Sequence, residues 1–184
     1  MILQKSLAAL HKSGVILFPS DTVLGLGCDA TDMEAVKKIF LTKNREHSKS
    51  LVALVSDFEM LNEYVESIPQ QVFDILDKAS VPTTIIYPKA KQLAPMAMAD
   101  DGSMAIRIPK SSFALDLVKS FGRPIIATSA NLSGEQIPEE SSKISSRILE
   151  QVDYVVPLKS GKYPVTPSRI MKVTSDGEIK TVRP

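Results

Sequence analysis

Apolar residues recur at helical spacing at Leu3, Leu7 and Leu10, and Gly14 reads as the stop that ends this first helix. The next four positions, Val15, Ile16, Leu17 and Phe18, are uninterruptedly apolar and end at Pro19. A run that short, bounded by breakers, predicts a buried strand. Thr31 and Glu34 then stand at capping-box spacing around Met33, Val36 and Phe40, which predicts a helix ending near Thr42. The alternation continues with a buried strand over 51–55, a helix from the Ser56 and Glu59 pair to about Val65, and a helix opened by Pro69 and running to Ala79. Residues 83–87 and 104–108 are rich in strand formers, 112–121 is helical with Gly122 as its stop, and 124–128 is a further buried strand. Toward the C-terminus the pattern predicts a polar helix over 138–150, a short strand over 154–156, and a hairpin of 169–174 with 178–182 across Ser175, Asp176 and Gly177. Strands alternating with helices, closed by an antiparallel pair, predict an α/β fold: three layers around a twisted mixed sheet.

Composition narrows the class. With 43% hydrophobic and 23% charged positions, the 184 residues can bury a sizeable core, and that length suits a single domain spanning residues 1–184. Twenty-two Lys and Arg nearly cancel 21 Asp and Glu, so no global field draws the chain onto nucleic acid or an anionic membrane, and any polyanion site must be local. Cys28 is the only cysteine and the two histidines are far apart, which excludes an internal disulfide and any zinc-ligand spacing and fits a reducing, cytoplasmic setting. No apolar run approaches the roughly 20 residues of a membrane span.

In open α/β sheets, ligands gather beyond strand ends, and four segments there carry unusual chemistry. Residues 19–30 combine hydroxyls, a carboxylate and two glycines in what reads as a turn-rich stretch; they match neither a dinucleotide fingerprint nor a P-loop. Lys43, Arg45 and Lys49 place three fixed positive charges within seven residues, a solvated face or a set of phosphate ligands. Arg107 sits in an apolar strand and therefore needs an anionic partner, from a structural salt bridge or from a bound carboxylate. Residues 128–134, with Ser129, Asn131 and Gly134 after an apolar strand, are a tight turn or a set of donors around phosphate or adenosine.

Taken together and in this order, the four segments resemble the YrdC-type family, the threonylcarbamoyl-adenylate synthases. Residues 19–30 resemble its P-T-D/E-T-V-Y-G-L-G-x-D/N-A signature, Lys43 to Arg45 its K-x-R, Met104 to Pro109 its A-V-R-x-P strand, and Ser129 to Asn131 its S-x-N. Pro167, Ser168 and Arg169 resemble its P-S-T turn, and Arg183 and Pro184 its closing L-R-P. The similarity runs from about Gly14 to Pro184 and is to the short, single-domain form. It departs from the family at Ser20, Leu24, Glu46, Ser50, Leu54 and Ile137.

The resemblance implies that L-threonine, bicarbonate or CO2, and ATP give threonylcarbamoyl-AMP and pyrophosphate, which partner enzymes use to modify tRNA. Lys43 and Arg45 would be catalytic, holding the phosphates with Lys49, while Ser103, Ser129, Asn131 and Arg183 would hold the nucleotide. Thr22, Arg107 and Ser168 would hold threonine. Magnesium would be carried by the ATP phosphates and water, with no protein metal site. Two other readings compete with it. One is an RNA-binding module with Lys43, Arg45, Lys49, Lys110 and Lys172 along a groove; the other is a relative of the same fold handling another carbamoyl compound.

Overall fold

The structure, a computed structural model, describes residues 1–45, 51–110 and 112–184. Lys49 and the departures at Glu46 and Ser50 lie outside the described residues.

The first strand, β1 (Ile16–Pro19), is apolar on both faces because both are covered: Leu17 joins one core cluster while Ile16 and Phe18 join another. The other described strands are β2 (Leu24–Asp29), β3 (Val52–Leu54), β4 (Thr83–Tyr87), β5 (Met104–Arg107), β6 (Ile125–Ser129), β7 (Tyr154–Val155), β8 (Arg169–Val173) and β9 (Ile179–Arg183). They form one sheet with β1, in the order β7-β1-β2-β6-β3-β5-β4-β8-β9. The pairs β1/β7, β3/β5 and β4/β8 are parallel and the remaining neighbours antiparallel, so the sheet is mixed. On one face α1 (Ile2–Leu10) and α5 (Phe113–Phe121) bury Leu10, Leu117 and Val118 against Ile16, Phe18, Leu54 and Ile125. On the other face lie α2 (Met33–Lys43), α3 (Phe58–Tyr64), α4 (Gln70–Lys78) and α6 (Ser146–Leu149). These bury Val36, Ile39, Leu61, Val72 and Ile148 against Leu26, Ala53, Ile106 and Ile126. Helices on both faces make the three layers the alternation predicts.

Four local expectations change. The stretch read as turn-rich over 19–30 is mostly the buried strand β2, paired on both sides, and only Ser20 to Val23 forms its turn. Its glycines exist for packing: a Cβ on Gly27 would lie 2.6 Å from both the Ile126 carbonyl oxygen and the Phe18 ring. The capping residues are Asp32 and Asp57, one place after the Thr and Ser of the box pattern. Asp32 accepts from the Glu34 and Ala35 amides and Asp57 from the Met60 amide, as a carboxylate next to the donors does better than a hydroxyl one residue earlier. At the end of α1, Ser13 takes the left-handed conformation at φ 56°, while Gly14 donates to the Ala9 carbonyl, 2.6 Å from where a Cβ would stand. The helix expected over 138–150 shrinks to one 3₁₀ turn, Ser141–Lys143, and the short α6, because serines at 141, 142, 145 and 146 compete with the helix for backbone partners.

Candidate active site

The turn between β1 and β2 is tied by one hydroxyl. Ser20 Oγ donates to the Val23 carbonyl at 2.8 Å, accepts from the Thr22 and Val23 amides at 3.2 Å each, and lies 3.0 Å from Thr22 Oγ1. These bonds hold Thr22, 6% exposed, in the turn just before β2. Across the sheet Arg107, at the end of β5 and 5% exposed, forms an ion pair through Nη1 with Asp21 and points Nη2 at Thr22 Oγ1, 3.4 Å away. Asp21 also accepts from the Lys110 amide, so the buried guanidinium has its structural counter-ion, and Arg107 also lines a cavity beside this turn.

That cavity, about 200 Å³, is lined on the sheet by Phe18, Gly25, Val52 and Ala127, and around its rim by Thr22, Arg107, Ser129, Ile137, Pro167, Ser168 and Arg183. Such a volume lies below the roughly 300–1,000 Å³ of drug-sized pockets and suits a small polar molecule or one end of a larger one. Small residues make it possible: Gly25 leaves the sheet face bare opposite Ser129, its partner across β2 and β6. On the far wall the hydroxyls of Ser168 and Thr84 are 2.7 Å apart and buried, and Arg183 donates through Nε and Nη2 to the Ser168 carbonyl at 3.1 and 2.7 Å. Among the described residues, two guanidinium groups, several hydroxyls and no carboxylate line the space, an arrangement suited to an anion with hydrogen-bonding groups.

The ten residues singled out from sequence divide accordingly. Thr22, Arg107, Ser129, Ser168 and Arg183 meet in this one cavity. Lys43 is 1% exposed and does not line it; its ammonium donates to the carbonyls of Ser129 and Asn131, and burial first, then Arg45, pull its pKa down to about 7. Asn131 turns its amide nitrogen onto the Leu132 and Glu135 carbonyls, and its Oδ1 is buried with no partner among the described residues. Arg45 is half-buried, which lowers its pKa, and lines a separate cavity with Lys37, Phe40 and Arg147. Ser103 is not brought to the site: it precedes β5 at the end opposite Arg107, its amide donating to Asp101 Oδ1 and its carbonyl accepting from Ala99. Lys49 lies outside the described residues.

The described members of the basic set proposed for an RNA groove do not share one either. Lys43 is buried, Lys110 Nζ is tied to the Ala79 carbonyl, and Lys172 stands 4.0 Å from Asp101. Among the described residues no group of three or more His, Cys, Asp or Glu could hold a metal, and no helix is long and apolar enough to cross a membrane. Sequence reading gave no role to Thr84, although a threonine inside the apolar 83–87 run was a visible signal.

A family model described as telomere recombination, covering Sua5, YciO and YrdC, matches residues 8–184. The threonylcarbamoyl-AMP synthase of Hahella chejuensis is 34% identical over 130 residues, which are 70% of this chain and 71% of that protein. The protein of the same name from Idiomarina loihiensis is 29% identical over 163 residues, 87% of each. Among solved structures, Pyrococcus abyssi Sua5 complexed with L-threonine superposes with a TM-score of 0.86 at 25% identity, covering 99% of this chain and 53% of that one, so the chain spans about half its length. E. coli YciO shares the fold, with a TM-score of 0.84 at 22% identity over 99% of this chain and 88% of that one.

Proposed function

The chain belongs to the Sua5, YciO and YrdC family, and from that premise we propose that it is a threonylcarbamoyl-AMP synthase, forming threonylcarbamoyl-AMP and pyrophosphate from L-threonine, bicarbonate or CO2, and ATP. The observation that carries the reading is the convergence of Thr22, Arg107, Ser129, Ser168 and Arg183, from five separate stretches of chain, on one cavity.

The reaction asks mainly for positioning. The threonine amine, uncharged, adds to CO2 and loses a proton, giving a carbamate; a carbamate oxygen then attacks the α-phosphorus and pyrophosphate leaves. No covalent enzyme intermediate is needed, so holding the reactants in line and compensating charge do most of the work. Arg107 would grip the threonine carboxylate, with the Thr22 and Ser168 hydroxyls beside it. Ser129 and Arg183 would meet the nucleotide, with Asn131 next to Ser129, and we assign the phosphates to Arg45 and Lys49. The cavity lining among the described residues holds no carboxylate, which suits a magnesium ion that would be carried by phosphate oxygens and water and would supply charge neutralisation when bound. We assign the product to a downstream transferase acting on tRNA, and the reaction to the cytoplasm.

The test is turnover of the purified chain with ATP, magnesium, bicarbonate and each amino acid in turn, following pyrophosphate and the adenylate by mass spectrometry. Threonine-dependent product, reduced at least tenfold in Ser168→Ala and in Ser129→Ala, is the expected result. Pyrophosphate release indifferent to the amino acid supplied would refute the reading.

A further inference from the structure

Lys43 is the last residue of α2, and α2 packs on the sheet face away from the cavity, against Leu24 and Leu26 rather than Gly25. Its side chain crosses to the end of β6 and donates to the carbonyls of Ser129 and Asn131, the latter at 2.6 Å. Its own carbonyl accepts the Ser133 amide at 2.9 Å. One residue thus meets the 129–135 turn from both its ends. Within the turn, Ala130 is buried in the core with its amide on the Leu24 carbonyl, Gly134 takes φ +89°, and the Asn131 amide group closes onto Leu132 and Glu135. Carbonyl oxygens converging on one point repel each other unless an N–H donor or a cation sits between them, and the C-terminal end of a helix favours such a group there. An ammonium 1% exposed and engaged with two carbonyls is placed to shape the turn, whereas a flexible phosphate ligand would stand open to the site.

We propose that Lys43 is a positioning residue, whose side-chain nitrogen and carbonyl together hold the 129–135 turn in the shape that presents Ser129 to the cavity. What the turn then binds rests on the synthase reading; the clamp itself does not.

The experiment therefore has two parts. In the ligand-free protein, amide hydrogen exchange is compared between wild type, Lys43→Met, which keeps length and loses charge, and Lys43→Gln, which keeps one donor group and guards against misfolding of the first. The expected result is a tenfold or larger loss of protection at Ser133 and Glu135 in Lys43→Met, a smaller loss in Lys43→Gln, and unchanged protection in β2. Steady-state kinetics then separate positioning from mere stability: KM for ATP rises tenfold or more with KM for threonine within twofold, while a purely structural loss lowers the active fraction and leaves both KM values alone. Unchanged exchange in both variants overturns the clamp, as does altered exchange with both KM values unmoved. Should the wild type turn over no amino acid, the synthase reading fails, and the exchange result, with ATP affinity by calorimetry in place of KM, still decides the role of Lys43.

Discussion

Thr84 is wholly buried, and its hydroxyl lies 2.7 Å from that of Ser168, whose carbonyl in turn receives Arg183. A hydroxyl that orients a cavity-lining hydroxyl is open to a shape-preserving test. Thr84→Val removes about 1 kcal/mol of hydrogen bonding, so KM for threonine should rise about fivefold with kcat little changed, and Thr84→Ser should restore it to within twofold. Equal KM values in all three proteins would show that Ser168 is oriented by something else. Arg107 is a poorer probe, because removing one partner of the buried pair with Asp21 costs on the order of 3–5 kcal/mol of stability and confounds binding with folding. At this scale residue types were legible in the sequence and contacts were not. Arg107 in an apolar strand announced its need for an anion, but Asp21 is 86 positions away, and nothing in the spacing joins them. Lys43 shows the same limit: its place in a charge run suggested exposure, and its burial comes from β6 ending above α2.

At the scale of elements, β2 is the informative case. A G-x-G flanked by Ser, Asp and Thr reads as loop by residue preference, yet Leu24, Leu26 and Cys28 alternate with the glycines at the strand period and pack into the core. The two glycines serve different ends. A Cβ on Gly27 meets backbone and ring at 2.6 Å, whereas on Gly25 its closest neighbour is the Thr128 carbonyl oxygen at 3.4 Å, beside the cavity. Gly27→Ala should therefore destabilise the fold by about 2–3 kcal/mol, read as a lower denaturant midpoint. Gly25→Ala should fold nearly normally and lose substrate affinity as its methyl group enters the cavity. If the two variants are equally stable, the close packing of Phe18 on β2 is wrong. The helix caps teach a related lesson: periodicity located α2 and α3 well, but the capping carboxylates sit one residue later than the box pattern placed them, because the geometry of the amides chose between adjacent oxygens.

For the whole molecule, burial of one ammonium ties stability to pH. The pKa of Lys43 is about 7 in the fold against 10.5 ordinarily. Below pH 7 it is protonated folded and unfolded, and the cost of burying its charge is present in full. Between pH 7 and 10.5 the unfolded chain holds the extra proton, so stability from this group rises with pH, and above 10.5 it levels off. Relative to Lys43→Met, the wild type should gain stability as pH rises from 7 toward 10, measured by denaturant melts at matched ionic strength. A difference flat with pH would mean the two carbonyls hold the ammonium charged throughout.

Hydrophobic periodicity determined the order of most elements and the layered α/β class, because burial on one or two faces writes its period directly into the chain. Motif order pointed to the family and to ten site residues, five of which meet in the cavity. The sheet order, which sets β2 beside β6 and β3 beside β5, was decided only in three dimensions, and with it which strand ends face one another. That arrangement draws Thr22, Arg107, Ser129, Ser168 and Arg183 together, leaves Ser103 at the far end of β5, and turns Lys43 inward. Pairing between distant strands depends on the packing of the whole core, so no local pattern in the chain encodes it.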